Sequence, residues 1–188
     1  MERIVDVVYR ISYRILCDRV DSEVITRKVL ADARRKCIAC DGSLEVTDWL
    51  IRHACQLCRM MLVRRRTMWL LENRKDLYVR ASPRVGNHDD YITKQAWQVY
   101  CRAVNAMTPL QVITYVICKL EGFSEERTVS ILRLSRMRVD HLLKKATASI
   151  RAELAVYGSA DLYRNFINFI KMVDEAQRPE AKDLLTEY

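Results

Sequence analysis

Residues 120–154 read LEGFSEERTVSILRLSRMRVDHLLKKATASIRAEL. Ser124 stands where a hydroxyl can accept from the first free N–H groups of a helix, and Glu125 and Glu126 suit that helix's positive end. Val129 and Leu132 give the short helix an inward face. Leu134 then fills a turn, and Ser135 caps a second helix that buries Val139, Leu142 or Leu143, Ala146 and Ile150. Arg136, Arg138, His141, Lys144 and Lys145 fall on its outer positions. A short helix, a tight turn and a basic second helix make a helix-turn-helix, whose second helix enters the major groove of DNA. Arginine there can bond a guanine edge in two places, while lysine mostly meets phosphate. A helical hairpin with a solvated basic face is the plainer reading; agreement of cap, turn and charge favours DNA binding.

The rest of the chain carries the same all-α signature. Half of the 188 residues are hydrophobic, and only four are Gly and three Pro, a composition of helices rather than of strands and turns. The formal charge of +8 suits a polyanionic partner. Apolar residues recur at helical spacing in Ile4, Val7, Val8, Ile11 and Ile15, with arginines on the other face, and again in Ile25, Val29, Ala33 and Cys37. Asp18 and Asp21 interrupt the first helix and can cap the second. After the polar loop around Gly42, Thr47 or Asp48 can cap a third helix with the stripe Leu50, Ala54, Leu57 and Met61, running to about Glu72. The pattern dissolves over 73–90, the expected flexible linker. Helices resume at 91–105 and at 109–120, with Pro109 in the first turn. Residues 155–188 add an extension whose helix carries Leu162, Phe166, Phe169, Ile170 and Val173, widened by Tyr163 and Ile167. That face must be buried, either on the chain itself or on a partner.

Several classes are disfavoured. No apolar run reaches the length of a membrane span, and MERIVDVVYR has no signal-peptide core, so a cytoplasmic protein is expected. Phosphate-binding glycine loops, paired-carboxylate motifs and nucleophile elbows are missing, and His53, His88 and His141 have no partners at catalytic spacing, so no enzyme and no cofactor is expected. Cys37, Cys40, Cys55 and Cys58 form two Cys-x-x-Cys pairs near zinc-site spacing. The second pair, however, lies roughly 12 to 16 Å up its helix and the first within about 5 Å of the opposing helix's end. Zinc–sulfur bonds of about 2.3 Å do not bridge that offset. Buried thiols are expected instead.

These residues resemble the bacterial sigma factors of the extracytoplasmic-function class. Residues 107–154 are similar to the family's region 4, which reads the minus-thirty-five element: Pro109, then Leu120-Glu121-Gly122-Phe123-Ser124, Ser135 and Val139 follow its pattern. Residues 8–66 are similar to region 2, through VYRISYRILCDRVDSE and VTDWLIRHACQLCRMMLVRRR. The resemblance implies a region 2-like three-helix domain over 1–72, the linker 73–90, and a region 4-like helix-turn-helix domain over 91–154. It implies core RNA polymerase and promoter DNA as partners. Asp21, Glu23, Val24, Arg27 and Lys28 would meet the polymerase clamp. Asp41, Gly42, Ser43, Leu44 and Glu45 would form the loop holding a flipped base of the minus-ten element, with Gln56 facing it. Arg59, Arg64, Arg65 and Arg66 suit phosphates nearby. Ser135 and the basic positions after it would contact the upstream element.

The chain departs from the family at two places. Val24, Arg27 and Lys28 replace acidic or amide residues of the clamp-facing surface, which weakens or alters that contact. Arg133 stands where Gly or Asn is common, and a left-handed turn there is strained. The extension lies outside the resemblance and is a candidate dock for an anti-sigma or targeting protein. Two further readings stay open: a helix-turn-helix regulator that no longer binds polymerase, and a zinc- or thiol-based sensor.

Overall fold

The computed structural model describes residues 2–36, 43–72, 90–157, 160–176 and 184, and among them regular structure is entirely helical. In order these are α1 (Glu2–Leu16), α2 (Arg19–Arg35), α3 (Leu44–Glu72), α4 (Asp90–Ala106), α5 (Pro109–Tyr115) continued by a π-helical turn (Val116–Leu120), α6 (Glu125–Leu132), α7 (Arg136–Tyr157) and α8 (Ala160–Ala176).

Helix α1 occupies the centre. Its apolar residues are not confined to one stripe: Val5, Val8, Tyr9, Ile11, Tyr13, Ile15 and Leu16 are all buried, as is Ser12. A helix apolar nearly all round must be covered nearly all round. Helices α2 and α3 cover one side, and α8 and the π-helical turn reach it from another. The arginines read onto its other face are not left to solvent: Arg14 is buried and Arg10 is partly covered. Both guanidinium groups close on Glu121, which follows the π-helical turn. Cys17, at φ 52°, ends α1, and the Asp18 carboxylate then accepts from the N–H of Asp21 at 3.0 Å to start α2, as the spacing of those acids suggests.

Two boundaries differ from the sequence expectation. Helix α3 begins at Leu44, three residues before Thr47, because Ser43 supplies the start: its carbonyl accepts from the N–H of Thr47 at 3.0 Å. Asp48 is thereby free to act elsewhere. The helix expected over 109–120 begins as read, with Thr108 and Gln111 forming a reciprocal capping box around Pro109. Its last five residues widen into π-helical turns, so the N–H of Glu121 reaches the carbonyl of Val116 at 2.9 Å. Gly122, at φ +72°, reverses the chain there, a conformation that costs glycine little.

One hydrophobic cluster runs through both halves of the chain. At its middle the ring of Tyr13 stacks on Trp97 with centroids 5.0 Å apart, and Trp97 leans on Tyr100 at 5.5 Å. The Tyr100 hydroxyl donates to the carbonyl of Arg14 at 2.7 Å. Buried aromatic side chains remove about 150–250 Å² each from water, roughly 4–6 kcal/mol of transfer free energy apiece. Exposed ion pairs contribute about 1 kcal/mol or less. The aromatic stack and the buried Arg10–Glu121–Arg14 site, rather than exposed ion pairs, therefore join the halves. The expected linker, apart from Asp90 at the start of α4, lies outside the described residues.

The apolar face of α8 is covered by the chain itself. Leu162, Phe166, Ile170 and Val173 are buried, chiefly against α4, and Phe166 meets Tyr100 at 6.4 Å. Phe169 and Ile167 are half-buried and Tyr163 is exposed. Of the two readings of this face, packing on the chain itself holds for Leu162, Phe166, Ile170 and Val173.

Candidate nucleic-acid interface

Helix α6 starts as its sequence requires. The Ser124 hydroxyl accepts from the N–H of Arg127 at 3.2 Å, and the carboxyl of Glu126 is held below its usual 4.5 by its own backbone N–H and by Ser124. Thr128 and Ile131, not Val129 and Leu132, are the fully buried residues; the latter pair is half-buried. Thr128 is polar by type, yet its hydroxyl is satisfied by the Ser124 carbonyl at 2.9 Å and meets the Cys118 sulfur at 3.3 Å. A hydropathy count cannot foresee that exchange. The helix ends at Arg133 in the left-handed conformation, φ 52° and ψ 45°, whose N–H returns to the carbonyl of Val129. The strained turn suspected from sequence is what the backbone adopts.

Ser135 caps α7 by accepting from the N–H of Arg138 at 3.3 Å. Val139, Leu142, Ala146, Ile150 and Leu154 are buried at helical spacing, which settles Leu142 over Leu143. The opposite face carries Arg136, Arg138, His141, Lys144 and Lys145, all exposed, together with Ser135 at the cap. Met137, 81% exposed, joins them and was not anticipated. Arg136 Nε donates to Glu125 at 3.1 Å, and Lys144 Nζ bonds Asp140 at 2.7 Å, which holds the ammonium pKa above its usual 10.5. Such exposed pairs are weak, and phosphate oxygens can replace the carboxylates.

The residues expected to face a minus-ten element divide. Asp41 and Gly42 lie outside the described residues. Ser43, Leu44 and Glu45 are exposed, the last two in the first turn of α3 rather than in a loop. Gln56, Arg59 and Arg64 are exposed along α3. Arg65 and Arg66 are not available in the same way. Arg65 lies seven residues after buried Cys58 and three after buried Leu62, so it points inward. It donates to the carbonyl of Leu16 at 2.8 Å and pairs with Asp21. Arg66 donates to the carbonyl of Met107, at the end of α4. Both arginines hold helices together.

The polymerase-facing set is altered similarly. Asp21 is taken by Arg65, and Glu23 pairs with Arg19 at 2.9 Å. Val24 is 48% exposed, Lys28 is exposed and Arg27 is half-buried. On the same helix Asp32 accepts from His53 Nε2 at 2.8 Å, and Trp49 stacks on His53 at 5.2 Å. The sequence reading left His53 without a partner; its partner comes from another helix.

Sequence reasoning also missed the contacts that bring α6 onto α3. Arg127 donates to Asp48 at 2.8 and 3.0 Å while its guanidinium lies 3.9 Å from the centre of the Phe123 ring. Arg52 donates to the carbonyls of Ile131 and Ser130 at 3.0 and 3.2 Å, satisfying the free end of α6. These partners stand far apart in sequence, and no local pattern links them.

Cys55 and Cys58 are both buried. Burial pushes the Cys55 thiol well up and that of Cys58 to about 12, so both are neutral thiols at neutral pH. Cys37 and Cys40 lie outside the described residues, and no group of three His, Cys, Asp or Glu side chains is gathered among the described residues. No helix of the described residues is long and apolar enough to cross a membrane. Comparison with protein-family models, with curated proteins and with solved structures finds no match.

Proposed function

We propose that this chain is a promoter-directed transcription initiation factor similar to the extracytoplasmic-function sigma factors. Residues 1–72 would bind core RNA polymerase and open the minus-ten element, and 91–154 would contact upstream duplex. The observation that carries the reading is α7 itself: capped by Ser135 after a tight turn, buried on one side, and presenting Arg136, Arg138, His141, Lys144 and Lys145 on the other. That is the form of a helix that enters a major groove. Ser43, Leu44 and Glu45 at the start of α3 and Gln56, Arg59 and Arg64 along it are exposed and available to separating strands. The chain would direct polymerase and perform no chemistry of its own.

The test is transcription from its promoter by core polymerase of its own host. Reversing Arg136 and Arg138 to Glu is expected to abolish promoter binding and polymerase-dependent transcription with little change in melting temperature, since both side chains are exposed and the Arg136–Glu125 pair that is lost is a weak surface one. Transcription that survives the double reversal intact would rule out the upstream-reading role.

A second reading is a helix-turn-helix regulator that no longer binds polymerase. It is favoured by Asp21 and Glu23 being engaged by Arg65 and Arg19, which leaves Val24 and Lys28 exposed on α2. Binding to purified core polymerase separates the two, because only an initiation factor retains it. A thiol sensor is supported least: Cys55 and Cys58 are buried and their thiols are raised, the opposite of a reactive thiolate.

A further inference from the structure

Arg133 presents an unusual choice of residue. It holds the one left-handed position in the turn between α6 and α7, where glycine would avoid strain, yet it carries a long cationic side chain that is exposed. Such strain at a conformational outlier points to a role for the side chain. Its surroundings suggest which. Arg133 lines a recess shared with Gln56 and Arg59 of α3, floored by Cys55, Ile113 and Ile131. Arg52 also lines it, but its guanidinium is committed to the end of α6. Arg59 and Arg133 are exposed and form no ion pair among the described residues, unlike Arg65 and Arg127. Arg133 stands three residues before Arg136, at the edge of the basic face of α7.

We propose that Arg133 and Arg59 form a two-sided clamp for nucleic-acid phosphates, which carries the DNA surface of α7 across the recess onto α3. One duplex would then be held by both halves of the chain together. The packing of α6 on α3, through Arg127–Asp48 and Arg52, sets the two sides of the clamp. The inference rests on the DNA-binding reading of α7, and it assigns Arg59 to the same duplex as Arg133 in place of the separating strands of the minus-ten element.

The experiment uses the full chain and a fluorescent mixed-sequence DNA duplex, with binding followed by anisotropy over a salt titration. Each neutralised phosphate contributes about −0.9 to the slope of log affinity against log salt. Arg133→Gly is therefore expected to make the slope shallower by about 0.9 and to weaken binding about eightfold at about 0.1 M salt. Its melting temperature should hold or rise, because glycine relieves the left-handed strain. Arg59→Gln should lower the slope by a similar amount, the double variant by about twice that, and Arg133→Lys should retain it. Unchanged affinity and slope in both single variants would overturn the clamp while leaving the reading of α7 standing. Absence of binding by the unaltered chain even at low salt would overturn both. Arg59→Gln, on an exposed helix face, keeps the test decisive should the turn variant fail to fold.

Discussion

Glu121 shows how much one residue carries. Its carboxylate is buried between Arg10, whose side chain approaches at 2.7 Å, and Arg14, at 2.6 Å. Three charges in one covered site are costly to desolvate, and they persist because each completes the others. Replacing Glu121 by Gln keeps the shape and removes the buried negative charge that faces Arg14 and Arg10. A loss of about 3–5 kcal/mol is expected, read from urea unfolding of the two proteins side by side. A difference below about 1 kcal/mol would mean that the site behaves as a surface pair. The sequence marked Glu121 only through its place in Leu120-Glu121-Gly122-Phe123-Ser124. It could not indicate that two arginines more than a hundred positions earlier would meet it.

Among the elements, α2 and α3 are tied near the polar end of their hairpin by Asp32 and His53. The hydrogen bond from His53, aided by the charges of Lys28 and Arg35 and opposed by burial, holds the Asp32 carboxyl below its ordinary 3.8. A folded pKa below the unfolded one means that the tie contributes fully above the unfolded value and is lost as pH falls through the folded value. Asp32→Asn is therefore expected to be less stable than the unaltered protein at neutral pH, with the gap closing as pH drops below 3.8. Paired unfolding curves over that range provide the check; a gap independent of pH would show that the carboxylate charge contributes nothing. Helix existence was legible from periodicity throughout, and the caps read from sequence, Asp18, Ser124 and Ser135, stand at helix starts, whereas Thr108 was not read as one. Where a boundary moved, as at Leu44, the chain used a serine outside the stretch read as a cap. The π-helical turn before Glu121 had no local signal, and Val116, Ile117 and Leu120 within it are buried.

For the whole molecule, the question is whether the halves behave as one. Tyr13, Trp97 and Tyr100 join them through a continuous core, and Arg66 ties α3 to the end of α4. Unfolding by heat is expected as a single transition in which the calorimetric and van't Hoff enthalpies agree. Two resolved transitions would show that the aromatic stack is too weak to couple the halves. Sequence alone determined the all-helical class, the helix-turn-helix and the basic residues of its outer face, since periodicity, caps and charge are local properties. Only tertiary structure decided which cations remain for a partner. Arg59 and Arg64 stay exposed, whereas Arg65 and Arg66, next in the same run, turn inward to Asp21 and to the carbonyls of Leu16 and Met107. Likewise it decided that α8 closes on the chain's own core. The reason is physical: a charge pattern states what a side chain can bind, but its helical phase and its distant neighbours determine what it does bind.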